Sequence, residues 1–191
     1  IIRGGKGCNI PGIYFENKEL TKKDKKSLKW AIENNIKIIS QSFVENKRDI
    51  DHIRKYICEI NGDLKSIKLL SKIETNLGVD NFKEIIRYSD GIIIARGDLI
   101  PECGLINSVD KEFDLLLKVK KYEKEKEVII ATHILDNMRK GIIPNINELE
   151  SIYTFVNLGV TGFLLASETS IGNYPVKSVE MLKMLINLYK K

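Results

Sequence analysis

Short apolar runs alternate with amphipathic stretches along this chain. The runs at 36–43, 67–74, 91–96, 128–133 and 162–167 are near-continuously apolar, which predicts strands covered on both faces. Between them the apolar positions take a helical period. Thr21, three residues before Asp24, predicts the N-cap of a first helix. Ile50, Ile53, Ile57 and Ile60 form the stripe of a helix over 46–60. Further helices are predicted over 79–88, 109–125, 147–157 and 175–190, the last with Pro175 in its first turn.

Strand–helix alternation at this spacing predicts an α/β protein with parallel strands and right-handed crossovers. An open doubly wound sheet and a (β/α) barrel both satisfy it. No Gly-x-Gly-x-x-Gly follows the first run, which weighs against a dinucleotide-binding sheet. Polar residues instead recur where the runs end: Ser42, Lys72 and Glu74, Arg96 and Asp98, Thr132 and His133, Ser167 and Glu168. Reactive groups supplied by several strand ends are the signature of a (β/α)8 TIM barrel. Five runs fall short of eight strands, and a whole barrel takes about 250 residues. The remaining strands are therefore expected upstream or in a partner. Residues 1–15, rich in Gly and Pro and without helical period, read as a connector leading in from a preceding small domain. Residues 16–191 read as the partial barrel.

Composition narrows this picture. With 43% hydrophobic and 30% charged residues in 191, the chain has the make-up of a globular domain. No apolar run approaches the ~20 residues of a membrane span, and no secretory signal pattern is visible near Ile1. The three cysteines, Cys8, Cys58 and Cys103, lack metal-ligand spacing and are expected to be free thiols in a reducing compartment. The net charge of +5 comes from lysines interleaved with acids, at 22–29 and 118–127. These are solvated helix faces and not a nucleic-acid stripe; the excess of positive charge suits an anionic small molecule.

The apolar run ending in Arg96-Gly97-Asp98 admits two readings. On an exposed loop Arg-Gly-Asp is an adhesion ligand; at the end of a buried strand it is chemistry. The neighbouring runs favour the second. Glu74 and Asp98 end consecutive parallel strands, which lie ~4.8 Å apart, so the two carboxylates can share a hard cation, with water and substrate oxygens completing a Mg²⁺ shell. Lys72, two residues before Glu74, points to the same side of its strand. A lysine beside a cation and two acids predicts a phosphorylated substrate. Gly97 lets backbone N–H groups approach an oxyanion. A salt-bridge network around Lys72 is the competing explanation. Thr132 is a candidate hydroxyl donor; His133, by strand alternation, should face away from it; a capping role at Ser167 or Thr169 competes with chemistry at Glu168.

Six segments carry a resemblance. "GKGCNIPG", "LTKKD", "SKIET", "GVDNFKEIIRYSDGIIIARGDL", "ATHILDNM" and "SETSIGNYP" occur in the order, and near the spacing, of GKGVNLPG, LTEKD, SKIEN, SDGIMVARGDLG, ATQMLESM and SGETAKGDYP in the pyruvate kinase family. The likeness covers essentially the whole chain. It implies a (β/α)8 barrel, entered here just after the family's inserted small domain. It also implies transfer of phosphate from phosphoenolpyruvate to ADP, the last step of glycolysis. Lys72 then matches the lysine that stabilises the transferring phosphoryl group and the enolate. Glu74 and Asp98 match the Mg²⁺ (or Mn²⁺) ligands. Ala95, Arg96, Gly97 and Asp98 match the substrate-binding strand end, whose backbone receives the substrate carboxylate. Thr132 matches the threonine near the carbon that is protonated, and Glu168 the acid of the proton relay. The resemblance places the K⁺ site in the first half of the barrel, outside this chain, and implies a homo-oligomer, a tetramer. The compartment expected is the cytoplasm, with a plastid-type organelle as alternative; neither nucleic acid nor membrane is an expected partner.

The chain departs from the family pattern at defined places. His133 stands where the family has Gln, Ala166 where the relay serine stands, Glu45 for the Arg of Ser-Phe-x-Arg, Pro144-Asn145-Ile146-Asn147-Glu148 for Pro-Thr-Arg-Ala-Glu, and Ile100-Pro101-Glu102 for Gly-Val-Glu. Three readings stay open on these residues: a divergent pyruvate kinase active only in its full-length chain, a pyruvate-kinase-like protein that binds metal or substrate without turnover, and another phosphoenolpyruvate-handling barrel enzyme.

Overall fold

The computed structural model describes residues 19–190 together with Ile10 and Gly12. The rest of the expected connector over 1–15, including Cys8 and most of "GKGCNIPG", lies outside the described residues. Thr21 caps α1 (Lys22–Glu33), and a reciprocal bond with Asp24 completes a capping box. Then come β1 (Ile38–Gln41), α2 (Lys47–Glu59), β2 (Lys68–Ile73), α3 (Asn76–Asp80), α4 (Phe82–Tyr88), β3 (Gly91–Ala95), α5 (Arg96–Cys103), α6 (Leu105–Tyr122), β4 (Glu127–Ala131), α7 (Ile146–Asn157), β5 (Gly162–Leu164), α8 (Ser167–Ser170) and α9 (Pro175–Tyr189). The strands form one five-stranded sheet in sequence order, and every pairing is parallel. This is the half-barrel that the alternating pattern predicts.

Period-two alternation divides the sheet's residues between two faces. Ile73, Ile92, Ile94, Val128 and Ile130 join Ile50, Ile57, Ile85, Leu116 and Phe155 of the helices in one core cluster. Leu70, Ile93 and Ala131 form a separate small cluster on the other face. Lys72 shares the face of Leu70 by the same alternation, so the predicted chemistry sits on the face away from the helix layer. Each fully buried isoleucine contributes about 1.5–3 kcal/mol, and the main cluster anchors the register of β2, β3 and β4.

Several boundaries differ from the pattern. The ladder ends at Gln41, Ala95, Ala131 and Leu164, short of the apolar runs. Phe43 (φ 54), Thr132 (φ 66) and His133 (φ 52) are left-handed, a conformation that cannot continue a strand. The expected outward alternation of His133 therefore does not apply. Arg96 opens α5, a helix absent from the pattern reading because Ala95 offers it no side-chain cap and Pro101 lies inside it. The helix expected over 79–88 is two, α3 and α4, meeting at Asn81. Coverage on both faces holds at β3, all of whose residues are buried. It fails at β1 and β5, where Ile38 is 55% and Leu164 45% exposed.

Trp30 and Ile36 are exposed beside β1, so among the described residues this flank presents an apolar strand without a neighbouring strand, the geometry that promotes edge-to-edge association. Residues 1–191 expressed by themselves should self-associate and bind a hydrophobic dye. A charge at the edge, Ile38→Lys, should reduce both; a monodisperse, dye-silent product would refute this account of the edge.

Candidate active site

β2 and β3 are in register at Ile73 and Ile94, and β3 and β4 at Ala95 and Ala131. Glu74, Arg96 and Thr132 are consequently the first residues beyond the ladder on three adjacent strands. Glu74 is fully buried. Its Oε2 accepts the Phe43 N–H at 2.6 Å, and its Oε1 accepts from Lys72 Nζ at 2.5 Å. Lys72 Nζ also reaches Ser42 Oγ at 3.3 Å. The left-handed turn at Phe43 brings the end of β1 onto this carboxylate. Burial pushes the Glu74 carboxyl above its ordinary value; the bonds from Lys72 and Phe43 oppose the rise, and the charge of Asp98 adds to it.

Asp98, half-buried in the first turn of α5, thus acts on Glu74 across adjacent strand ends. Among the described residues no group of three or more His, Cys, Asp or Glu is arranged to hold a metal ion. The donor set here is a carboxylate pair. A buried carboxylate with a second acid acting on it calls for positive charge, and hard oxygen donors fit a hard cation that completes its shell with water and substrate oxygens. In this structure Lys72 supplies that charge.

A second cluster gathers at the ends of β3, β4 and β5. The Gly97 N–H donates to Thr132 Oγ1 at 2.8 Å, and the Thr132 hydroxyl donates to the Ala131 carbonyl at 2.6 Å. A Cβ on Gly97 would lie 3.3 Å from Thr132 Oγ1, so a side chain there would have to push the Thr132 hydroxyl back by a few tenths of an ångström. Arg96 donates to the Thr132 carbonyl from Nε (3.0 Å) and Nη2 (2.7 Å) and to the His133 carbonyl at 2.5 Å. Glu168 is fully buried and accepts the Ala166 N–H at 3.0 Å and the Leu135 N–H at 3.3 Å. The cap expected through Ser167 or Thr169 is absent; α8 has no side-chain cap. His133 is exposed, and its Nδ1 lies 2.6 Å from Asp136 Oδ2.

The structure therefore gathers Lys72, Glu74 and Asp98 on one side and Ala95, Arg96, Gly97 and Thr132 on the other, with α5 joining them. Glu168 bonds to backbone at the ends of β4 and β5. Sequence reasoning missed the Phe43 N–H, Asp136 and Glu112, whose Oε1 lies 3.7 Å from Arg96 Nε. Glu112 was detectable: it falls on the α6 stripe of Ser108, Leu115, Leu116 and Val119, a charge where the helical period demands burial. Cys58 and Cys103 are free thiols, and among the described residues no helix is long and apolar enough to cross a membrane.

Parallel strands with their polar groups collected at the C-terminal ends define part of a (β/α)-barrel enzyme domain. The comparisons with known proteins give the family. Residues 1–179 match the pyruvate kinase barrel domain. The chain is 35% identical over 181 residues to the pyruvate kinase of Methanocaldococcus jannaschii, covering 95% of this chain and 39% of that protein. It is 32% identical over 185 residues to that of Encephalitozoon cuniculi, covering 97% and 41%. Against that of Chlamydia muridarum it is 32% identical over 190 residues, covering 100% and 39%. The chain belongs to the pyruvate kinase family, and spans about two fifths of the length of the curated relatives it matches.

The Thr132 hydroxyl is the acceptor for the Gly97 N–H. Thr132→Val removes it without changing side-chain shape and should destabilise by about 1–3 kcal/mol, while Thr132→Ser should restore most of the loss. Denaturant titration of the native-length protein checks this, and equal stability of the Val and Ser variants would count against the bond.

Proposed function

We propose that the protein carrying this chain transfers phosphate from phosphoenolpyruvate to ADP, giving pyruvate and ATP. The observation that carries the proposal is the Lys72–Glu74 pair beside Asp98 at adjacent strand ends, in a chain of this family. The bond from the enol oxygen to phosphorus breaks, a bond from an ADP oxygen to phosphorus forms, and the enolate left behind takes a proton at its terminal carbon. Negative charge on the phosphoryl and enolate oxygens grows along this path, so a fixed ammonium is worth more in the transition state than in the ground state. Lys72 is that group.

Glu74 and Asp98 would hold Mg²⁺ or Mn²⁺, which supplies charge neutralisation at the phosphate oxygens when bound. Lys72 Nζ, now on Glu74 Oε1 and Ser42 Oγ, is the ammonium that would turn to the substrate. The backbone of Ala95, Arg96 and Gly97 receives the substrate carboxylate. The Gly97 N–H now rests on Thr132 Oγ1, so a carboxylate docking there takes over that donor, while the Thr132 hydroxyl reaches the enolate by turning its proton away from the Ala131 carbonyl. Glu168 is assigned to the proton relay, with its two backbone N–H bonds holding the carboxylate in place at the ends of β4 and β5. Further proposals follow from the family: residues 1–15 as connector and 16–191 as part of the barrel, K⁺ bound by the barrel's other half, a tetrameric assembly, a cytoplasmic location, and activity only in the longer protein.

One observation favours a second reading, binding without turnover. Ala166 has no hydroxyl where the family's relay serine stands, and both Glu168 oxygens accept backbone N–H groups. Coupled turnover with phosphoenolpyruvate, ADP and Mg²⁺ decides between the two.

Two variants of the native-length protein test the roles. Asp98→Asn should weaken Mn²⁺ binding in calorimetry and abolish most turnover; unchanged affinity there and in Glu74→Gln would refute the shared cation site. Lys72→Met should lower kcat by at least about a hundredfold with little change in KM. A large rise in KM at normal kcat would reduce Lys72 to a binding residue.

A further inference from the structure

We infer that Glu112, on the buried face of α6, is a positioning residue for the proposed reaction, holding the left-handed turn at 132–133 against Gly97 by anchoring Arg96. Its catalytic consequence rests on the functional reading above; its structural consequence does not.

Thr132 and His133 are consecutive non-glycine residues at φ 66 and φ 52. Such residues persist only where their surroundings over-determine them, and for a β-branched side chain the conformation is a strained one. One guanidinium ties both carbonyls of this turn. Arg96 donates to both of its carbonyls, at 2.7 and 3.0 Å to Thr132 and 2.5 Å to His133. The Arg96 side chain is only 15% exposed and lies over the Phe155 ring, 5.5 Å from its centroid. A cation placed so needs a counter-charge.

Three acids act on Arg96: Glu112, Asp136 and Glu168. Two of them are engaged elsewhere. Asp136 pairs with His133 Nδ1 through Oδ2, and Ser167 Oγ approaches its Oδ1 at 3.5 Å. Glu168 accepts the N–H groups of Leu135 and Ala166. Glu112 Oε1 accepts no hydrogen bond and faces Arg96 Nε at 3.7 Å. By elimination, Glu112 is the acid whose charge is committed to Arg96.

The same burial makes the anchor titratable. It pushes the Glu112 carboxyl up to about 7, against the opposing charge of Arg96. A carboxyl raised on folding favours the folded state most when protonated. Its stabilising contribution is full below the ordinary value of 4.5 and is lost as pH rises through about 7. Anchoring runs the other way, since only the ionised form attracts Arg96. Stability and positioning thus respond to pH with opposite signs, which a carboxylate of purely structural value would not produce.

The test compares the native-length protein with its Glu112→Gln variant, which keeps side-chain size and removes the charge. At a pH above the ionisation, the Gly97 amide, which donates to Thr132 Oγ1, should exchange its hydrogen about tenfold faster in the variant. The thermal midpoint should not fall. With phosphoenolpyruvate and ADP, kcat should drop about tenfold with KM within about twofold, and the wild-type ionisation near pH 7 in the kcat profile should vanish. Wild type alone supplies a check that needs no variant: Gly97 exchange, corrected for the intrinsic chemical rate, should accelerate as pH falls through about 7. Gly97 exchange unchanged by both substitution and pH overturns the inference. So does an ionisation that survives in the variant. Absence of turnover in wild type overturns the functional reading instead, and the Gly97 measurements still decide the role of Glu112.

Discussion

The register of three central strands governs everything at the end of this sheet. Ile73 pairs with Ile94 and Ala95 with Ala131, so the chain leaves the ladder at the same level on β2, β3 and β4. A slip of one residue would exchange the two faces and turn Lys72 into the helix layer. That register is held by apolar packing: Ile92 and Ile94 from β3 with Val128 and Ile130 from β4, all fully buried among the helices. The chemistry is placed by residues that take no part in it.

Beyond the ladder the problem changes from packing to charge. Glu74, Glu112 and Glu168 are all buried, and each meets the cost of burial differently. Glu74 takes a lysine and a backbone N–H; Glu168 takes two backbone N–H groups; Glu112 takes a guanidinium at longer range. Hydrogen bonds to a carboxylate favour its ionised form directly, while a longer ion pair recovers less of the lost hydration. Burial outweighs these partners at both Glu74 and Glu112, whose carboxyls are raised above the ordinary value.

Much of this was legible in the sequence. Strand order, parallel pairing and the helix layer followed from apolar runs and period, which are plainest in β3 (Gly-Ile-Ile-Ile-Ala) and β4 (Glu-Val-Ile-Ile-Ala). The partnership of Lys72 with Glu74 followed from a spacing of two. The site residues of the family motifs lie at the strand ends. What escaped was set by backbone conformation. Nothing in "ATHIL" announces two left-handed residues, since threonine is among the types least suited to that region. Neither Ala95 nor Pro101 marks α5, a helix that begins directly from a strand without a capping side chain. The engagement of Gly97 with Thr132 depends on both features, so the tie between the two halves of the site could be found only in three dimensions.

The strand order has a consequence for how the chain reaches this structure. Among the described residues each strand pairs with its neighbours in sequence, joined by crossovers of one or two helices, and none inserts between two others already formed. The sheet can therefore grow from the ribosome in the direction of synthesis, one strand and its helices docking on the last, with loop-closure entropy met in short steps. The end of β4 then acquires its final geometry only when β5 arrives, because the Thr132 N–H donates to the Leu164 carbonyl and Glu168 draws in Leu135. The polar end of the nascent sheet is completed last.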